Sequence, residues 1–344
     1  MSSTAHGRAA APAAVWLVGA LVAACAPSAS TSTLPPPSTA PVQSTATESL
    51  PSPAPVQSTP PVQSTPPPST PTVQERSPRS PAAGTHVFVV VMENHGYSRV
   101  WNTGDTPFVT RFARQWATAT NYWALTHPSL PNYLDLYSAT RGSITTDCSP
   151  SGSCHVAGPG LGDRIEASGL RWKSYQESMG SPCRLTSSGS YAPKHNPVVY
   201  FESVRLNPAR CAAHVVDYSF LADDLRSGAT TPNYAFITSN LCSDTHDCPV
   251  AVGDAWLSRN LPPILASPAC AVERCLLVLT WDEGGGFDGN HVLTVLAGSL
   301  ARQAASSQTR YDHYSVVRTA EQVLGLSGFV GGEASSAPMT DLLR

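Results

Sequence analysis

A serine at position 129 lies between two prolines, within the run from Thr126 to Tyr133. The prolines restrict the backbone on both sides and keep the serine out of regular helix. The apolar stretch from Leu134 to Tyr137 then predicts a short helix that begins near Ser129. Backbone N–H groups and the dipole at a helix start favour a phosphate or another oxyanion. Taken alone, however, the run is more typical of a proline-rich turn with a capping serine.

Acidic and amide side chains follow three apolar runs that predict buried strands of a parallel sheet. These runs are His86–Met92, Tyr234–Thr238 and Leu276–Trp281. The residues that follow them are Glu93 and Asn94, then Asp244 and His246, then Asp282 and Glu283. The carboxyl ends of parallel strands meet at one edge of the sheet, so we expect these side chains to converge there, within reach of Ser129.

Further elements alternate along the chain. A fourth strand is predicted over Val292–Leu296, and helices over Pro107–Trp116, Asp254–Leu265 and Tyr314–Leu326. Alternating strands and helices predict an α/β fold, namely a three-layer α/β/α sandwich around a mostly parallel central sheet.

Carboxylate and amide oxygens, together with some histidine nitrogen, can hold one or two divalent cations. A serine hydroxyl is a weak nucleophile until a base or a metal activates it, and the same metal would neutralise charge on a phosphoryl group. A Ser-His-Asp acyl hydrolase is the competing interpretation. Ser129 lacks the Gly-x-Ser-x-Gly elbow of such enzymes, and the acids follow too many strands for one triad. The pattern therefore favours phosphoryl transfer.

Five motifs follow one another along the chain, namely Met92–Asn94, His127–Tyr133, Asn240–Asp247, Trp281–Gly284 and His313–Ser315. Together they resemble the bacterial phosphoesterase family of acid phosphatases and phospholipases C, within the alkaline phosphatase superfamily. Segments Lys194–Pro197, Gly253–Leu257 and Arg318–Gln322 resemble its branch of secreted mycobacterial phosphatases that act on phosphatidylinositol 3-phosphate. The resemblance implies an alkaline-phosphatase-like fold and a metal-activated serine that forms a phosphoseryl intermediate.

The resemblance also implies roles for individual residues. The metal ligands would be Glu93, Asn94, Asp282 and Glu283, with Ser129 as both nucleophile and ligand. Positions near the phosphate or a second metal would be Asp244, His246 and His313. Phosphate contacts or leaving-group protonation would fall to His127 and His195, which as isolated residues could equally be structural. One divalent ion is favoured over two, because Gly284–Phe287 lacks the acids of some relatives.

The implied partner is a phosphorylated small molecule or a phospholipid headgroup. A net charge of −3 and a pI near 6.3 give no general attraction to nucleic acid or to acidic membranes, so no nucleic-acid partner is expected. A phosphodiesterase or phospholipase C on the same fold is the first alternative. A sulfatase is disfavoured, since Tyr133 stands where those enzymes need arginine. A non-catalytic surface-binding module is the remaining alternative.

The first residues predict export. An apolar stretch ends at Ala24 before Cys25, which resembles a lipoprotein signal over residues 1–24 with Cys25 lipidated; an ordinary secretory signal is the alternative. Residues 26–83 are rich in Pro, Ser and Thr and predict a disordered tether. Residues 84–344 would form the phosphoesterase domain. We therefore expect an extracytoplasmic protein, either secreted or touching a membrane through the lipid anchor only.

Eight cysteines remain after Cys25, and no two of them are spaced as C-x-x-C. In an oxidising compartment they predict four disulfides, most simply between sequence neighbours, although spacing alone leaves the connectivity open. A bridge between Cys242 and Cys248 would close a tight loop around Asp244 and His246. Such a loop could preorganise the site, or it could simply stabilise the domain.

Overall fold

In a computed structural model of the chain, the described residues are 84–286, 288–329 and 331–344. The predicted signal peptide, the lipidated Cys25 and the tether lie outside these residues. Within them, none of the helices has the length and apolar character that crossing a membrane requires.

The described part of the chain forms a sheet of eight strands in the order β5-β4-β6-β1-β7-β8-β2-β9. Strand β8 runs antiparallel to both of its neighbours, and the other pairs are parallel. Strands β3 and β10 form a separate parallel pair. The bounds are β1 Thr85–Met92, β2 Ala117–Ala119, β3 Tyr122–Trp123, β4 Trp172–Gln176, β5 Val215–Asp217, β6 Tyr234–Thr238, β7 Arg274–Trp281, β8 Thr294–Ala297, β9 Ala305–Ser307 and β10 Tyr311–Asp312.

Helices connect the strands. They are α1 Tyr97–Val100, α2 Pro107–Gln115, α3 Ser129–Ser138, α4 Leu161–Ala167, α5 Glu202–Arg205, α6 Pro208–His214, α7 Leu221–Asp224, α8 Val250–Ala266, α9 Pro268–Ala271 and α10 His313–Leu324. Helix α10 packs on α3 and on β1, whereas α2 packs on α8. The predicted strands and helices are all present, with ends shifted by a few residues.

Helices cover both faces of the sheet. Tyr137 of α3 meets the ring of Phe236 edge-on, and Phe236 lies beside Val89 in the parallel register of β6 and β1. Met92 is three residues further along β1, so its side chain points to the opposite face. There it meets α8, since a Cβ on Gly253 would lie 2.8 Å from the Met92 methyl group. This arrangement confirms the predicted three-layer α/β/α sandwich.

Main-chain hydrogen bonds join the loops that follow β1, β6 and β7. The Asp282 amide donates to the Met92 carbonyl at 2.9 Å, and the Glu93 amide donates to the Asp244 carbonyl at 2.9 Å. The Thr245 hydroxyl donates to the Glu93 carbonyl at 2.8 Å. The three strand ends predicted to converge are thus fastened to one another.

Among the described cysteines the structure forms four disulfides, each between sequence neighbours as predicted. The pairs are Cys148–Cys154, Cys183–Cys211, Cys242–Cys248 and Cys270–Cys275.

Candidate active site

Ser129 is the first residue of α3 and is 2 % exposed. Its Oγ donates to Glu93 Oε2 at 3.1 Å, so the carboxylate is placed to take the hydroxyl proton. The preceding peptide bond, between His127 and Pro128, is cis. The helix places Ser129 at the sheet edge where the loops after β1, β6 and β7 meet, which is the position that the sequence predicted.

The first turn of α3 already holds an anion from within the protein. The Leu130 amide donates to Asp147 Oδ1 at 3.0 Å. The N–H next to Ser129 is therefore engaged rather than free for a phosphate oxygen. No sequence feature marks Asp147 as a residue of the site, because it lies in a loop without a motif that would distinguish it from other surface acids.

His195 joins two of the acids. Its Nε2 lies 3.0 Å from Glu93 Oε1, its Nδ1 lies 3.1 Å from Asp244 Oδ2, and its ring stacks on Tyr133 with the centroids 5.0 Å apart. Burial would lower the pKa of His195, but the Glu93 and Asp244 carboxylates outweigh it and raise the pKa to about 10. The imidazolium charge in turn holds the pKa of Glu93 below its ordinary value despite burial.

His313 is held through both of its ring nitrogens. Its Nε2 lies 2.7 Å from the Asp282 carbonyl oxygen and its Nδ1 lies 2.9 Å from the Tyr122 hydroxyl. Burial lowers its pKa to about 4, so the ring is neutral. Both nitrogens contact protein atoms, and the contact with the Asp282 carbonyl ties the ring to the backbone of a candidate metal ligand. The place of His313 near the phosphate or a second metal stays a prediction. The backbone N–H of Asn94 fixes the Asp282 side chain by donating a hydrogen bond to its Oδ1 at 3.0 Å.

Glu283 contacts the imidazole ring of His127. The His127 Nδ1 is 3.2 Å from Glu283 Oε2, and the same oxygen accepts from Asn132 Nδ2 at 3.1 Å. The His127 side chain is 51 % exposed, whereas that of Glu283 is buried. His127 can therefore meet a group that arrives from solvent while one of its nitrogens contacts the acid.

His246 lies at the edge of the buried cluster, in the loop closed by the Cys242–Cys248 disulfide. Its amide donates to Asp244 Oδ1 at 2.8 Å, and its ring centroid is 5.5 Å from that of His195. Its Nδ1 lies 2.7 Å from Asp247 Oδ1 and its Nε2 lies 3.3 Å from Lys194 Nζ. The ring is part-exposed and connects the cluster to Lys194, a residue to which sequence analysis gave no role.

Four buried acids crowd this site, namely Glu93, Asp244, Asp282 and Glu283. Burial raises the pKa of Asp282 well above its ordinary value, and the charges of Glu93 and Glu283 add to that effect. Burial also raises the pKa values of Asp244 and Glu283. Such a concentration of acids is costly unless a cation neutralises it.

The oxygen atoms fit a divalent cation. Asp282 Oδ2 is buried and accepts no hydrogen bond from the described residues, and the buried Glu93 Oε1 pairs with His195. Carboxylate oxygens without donors are the groups that a hard cation would satisfy. Glu93, His195 and His246 also offer ligand atoms within 4.8 Å of one another. Since both His195 nitrogens already contact carboxylates, the oxygen set fits a cation better.

Comparisons with known proteins identify the family of the chain. The model of the Phosphoesterase family matches residues 98–327. A phosphatidylinositol-3-phosphatase of Mycobacterium tuberculosis is 31 % identical over 264 residues, which are 75 % of this chain and 82 % of that protein. A probable acid phosphatase of Kluyveromyces lactis is 31 % identical over 252 residues, which are 70 % of this chain but 58 % of the yeast protein.

Solved structures share the fold at low sequence identity. A protein of the alkaline phosphatase superfamily from Vibrio parahaemolyticus superposes with a TM-score of 0.52 at 11 % identity, covering 74 % of this chain and 70 % of that one. The lipoteichoic acid synthase LtaP from Listeria monocytogenes gives the same score and identity over 73 % and 74 %. The chain therefore belongs to the Phosphoesterase family and is a hydrolase of phosphoric esters with the fold of the alkaline phosphatase superfamily.

Proposed function

We propose that the chain is an acid phosphatase that hydrolyses phosphate monoesters with Ser129 as the nucleophile. The observation that carries this proposal is the contact of 3.1 Å between Ser129 Oγ and Glu93 Oε2, at the start of a buried helix. A buried hydroxyl beside a carboxylate, at an edge that gathers three more acids, is arranged for nucleophilic attack. The names of the mycobacterial and yeast relatives support the same reaction.

The reaction has two displacements at phosphorus. Ser129 Oγ gives its proton to Glu93 and bonds to phosphorus while the bond to the ester oxygen breaks. His127, half-exposed with its Nδ1 against Glu283, protonates the departing oxygen, and His246 stands beside the buried cluster. A water molecule then gives a proton to His127 and attacks the phosphoserine, the bond between phosphorus and Oγ breaks, Oγ takes back the proton from Glu93, and phosphate leaves. His195 holds Glu93 and Asp244 in place through both steps.

A divalent cation would be held by the oxygen set, with one ion favoured and a second possible. Its ligands would come from Glu93, Asn94, Ser129, Asp244, Asp282 and Glu283. When bound, it would lower the pKa of the serine hydroxyl and neutralise charge on the phosphoryl group. His313 and the Asn94 amide would act by positioning Asp282, as their hydrogen bonds indicate.

The names of the relatives support a class of substrate. Phosphate monoesters are the proposed substrates, and the name of the mycobacterial phosphatase supports phosphatidylinositol 3-phosphate as one of them. A phosphodiester or phospholipid is the alternative, since the same residues could serve it. We propose no nucleic-acid partner.

We also propose that the domain works outside the cytoplasm, either secreted or held at a membrane by a lipid on Cys25. The four disulfides among the described cysteines support this location, because disulfides persist mainly in oxidising compartments.

The decisive test replaces Ser129 by alanine and assays a generic aryl phosphate together with a phosphodiester. We expect the Ser129→Ala variant to lose about 1000-fold or more of the monoester turnover, because the attacking oxygen is gone. Ser138→Ala is a matched control. Ser138 ends the same helix, is fully buried and accepts a hydrogen bond from the Leu161 amide at 2.8 Å, so its loss affects stability but not turnover of the folded enzyme.

Undiminished turnover in Ser129→Ala would exclude the proposed mechanism. Faster Ser129-dependent turnover of the diester than of the monoester would replace the phosphatase by a phosphodiesterase.

A further inference from the structure

A pocket of about 420 Å³ opens beside the acid cluster. Its volume lies in the range of small-molecule sites. Its lining residues are Asp147, Cys148, Ser149, Ser187, Ala192, Pro193, Lys194, Leu241 and His246. Two disulfide-closed loops contribute to the walls, one through Cys148 and the other through His246. These constraints give the pocket a fixed shape before any ligand arrives.

The pocket adjoins the nucleophile. Asp147, in its wall, accepts the hydrogen bond from Leu130, the residue directly after Ser129. His246, also in the lining, donates through its backbone amide to Asp244 of the buried cluster. A phosphoryl group at Ser129 would therefore place the rest of the ester in or near this pocket.

Lys194 gives the pocket a charged donor. Its ammonium lies 3.1 Å from Asp147 Oδ2 and 3.3 Å from His246 Nε2, and the side chain is 26 % exposed. Among the described residues, these two contacts occupy two of the three ammonium hydrogens. Asp147 is engaged through both of its oxygens, one by Lys194 and one by the Leu130 amide. The third hydrogen of the ammonium is thus available to an anion in the pocket.

The remaining lining suits a small polar group. Ser149 and Ser187 offer hydroxyls, and the apolar part comes from small or aliphatic side chains. The lining contains no Phe, Tyr or Trp side chain on which a flat leaving group could stack. Hydroxyls and one ammonium are the donors that a polyol or hydroxy acid with a second negative charge would use.

We propose that this pocket receives the leaving group and that Lys194 selects monoesters whose leaving group carries a second anionic group, such as a carboxylate or another phosphate. The inference rests on the proposed phosphatase activity and specifies its substrate class. Lys194 contacts the part of the substrate that departs, so it changes the preference among esters rather than the ability to cleave them.

A matched pair of substrates tests this. 3-Phosphoglycerate and glycerol 3-phosphate share a three-carbon skeleton and differ in a carboxylate against a hydroxymethyl group at the far carbon. The measured quantity is the ratio of kcat/KM for the first to kcat/KM for the second. Lys194→Met removes the charge with little change in length, and we expect it to lower that ratio by about tenfold or more. Lys194→Arg should keep most of the ratio.

The chain supplies a matched control in its other lysine, Lys173. Lys173 is also paired with one aspartate, Asp224, at 2.6 Å, and its side chain is 27 % exposed. Lys173→Met removes the same charge from the protein as a whole, so it should leave the ratio unchanged. Hydrolysis of glycerol 3-phosphate by Lys194→Met, with a thermal unfolding curve, shows that the variant is folded.

Three outcomes would overturn the inference. An equal fall for both esters in Lys194→Met would show that Lys194 serves the transferred phosphoryl group instead. An unchanged ratio would show that the leaving group lies elsewhere. If the wild type hydrolyses neither ester nor any aryl phosphate in a manner that depends on Ser129, the proposed function itself fails, and the inference fails with it. Only the last outcome involves Ser129→Ala, so the two failures are distinguishable.

Discussion

At the amino end of β1 a buried histidine is paired through both of its nitrogens, whereas at the carboxyl ends of the central strands buried acids are crowded together. His86, at the start of β1, lies 2.9 Å from the Pro232 carbonyl oxygen and 2.6 Å from Glu273 Oε2, so both of its nitrogens have partners. At the other end of β1, the buried Asp282 Oδ2 accepts no hydrogen bond from the described residues. The difference separates an edge that stabilises the fold from an edge where stability is given up for chemistry.

The largest effect among the substitutions that test this difference is expected for Asp282→Asn. We expect its activity to fall by about 100-fold or more, with a lower content of bound metal by elemental analysis, because a charged ligand is lost. In the metal-free protein the free energy of unfolding at pH 7 should rise by about 1 kcal/mol.

The sign of that stability change follows from the pKa of Asp282. Burial and the charges of Glu93 and Glu283 raise it well above its usual value, so the folded protein disfavours the charged form. The cost is therefore present at pH values above the ordinary pKa of aspartate and disappears in acid. A variant that keeps its activity, or a metal-free variant that is less stable than the wild type at pH 7, would contradict the comparison.

The corresponding change at the opposite edge is His86→Ala. We expect the free energy of unfolding to fall by about 2 kcal/mol, because the substitution leaves the Pro232 carbonyl without its partner and opens a small cavity. At a temperature where the variant is folded, kcat/KM should match the wild type. Denaturant unfolding and a monoester assay measure the two quantities, and a large loss of kcat/KM would show that the two edges are coupled.

The disulfides provide a finer comparison. Cys242–Cys248 and Cys270–Cys275 span sequence separations of 6 and 5, and only the first encloses Asp244 and His246. Loop-closure entropy predicts that replacing either pair by alanine costs about 2 kcal/mol of stability. The catalytic-edge variant should also lose activity several-fold, since its loop must then order on binding, whereas the Cys270–Cys275 variant should not. Equal activities in the two folded variants would assign both bridges to stability alone.

The sequence predicts the strands whose composition matches their burial. β1 is an unbroken apolar run, and it was recognised within one residue of its observed start. β4 was missed, because Lys173 and Gln176 give this short strand a polar appearance although the strand is mostly buried. Its polar groups are satisfied within the fold, as when Gln176 donates to the Ser174 hydroxyl at 2.9 Å. Such pairing depends on tertiary contacts that a single sequence does not display.

The candidate site could also be predicted from the sequence only in part. Glu93 and Asp282 directly follow apolar strands, so their convergence follows from the fold class. Asp147 and Lys194 come from connecting segments, and only the folded chain brings their charges to 3.1 Å from each other. The resemblance predicts a place near the phosphate or a second metal for His313, whereas its contact with Tyr122, far away in the sequence, is visible only in the fold. Positions tied to strand ends can be inferred, whereas partnerships between loops cannot.

The main-chain bonds that fasten the three loops have a consequence for how this enzyme can change over generations. The Asp282 amide and the Glu93 amide donate to backbone carbonyls, and both donors survive exchange of the side chain for any residue except proline. The frame that aligns the loops is thus inherited separately from the groups that it presents. A lineage could replace an acid or a pocket residue and keep the alignment, so new ester preferences can be explored without first rebuilding the scaffold.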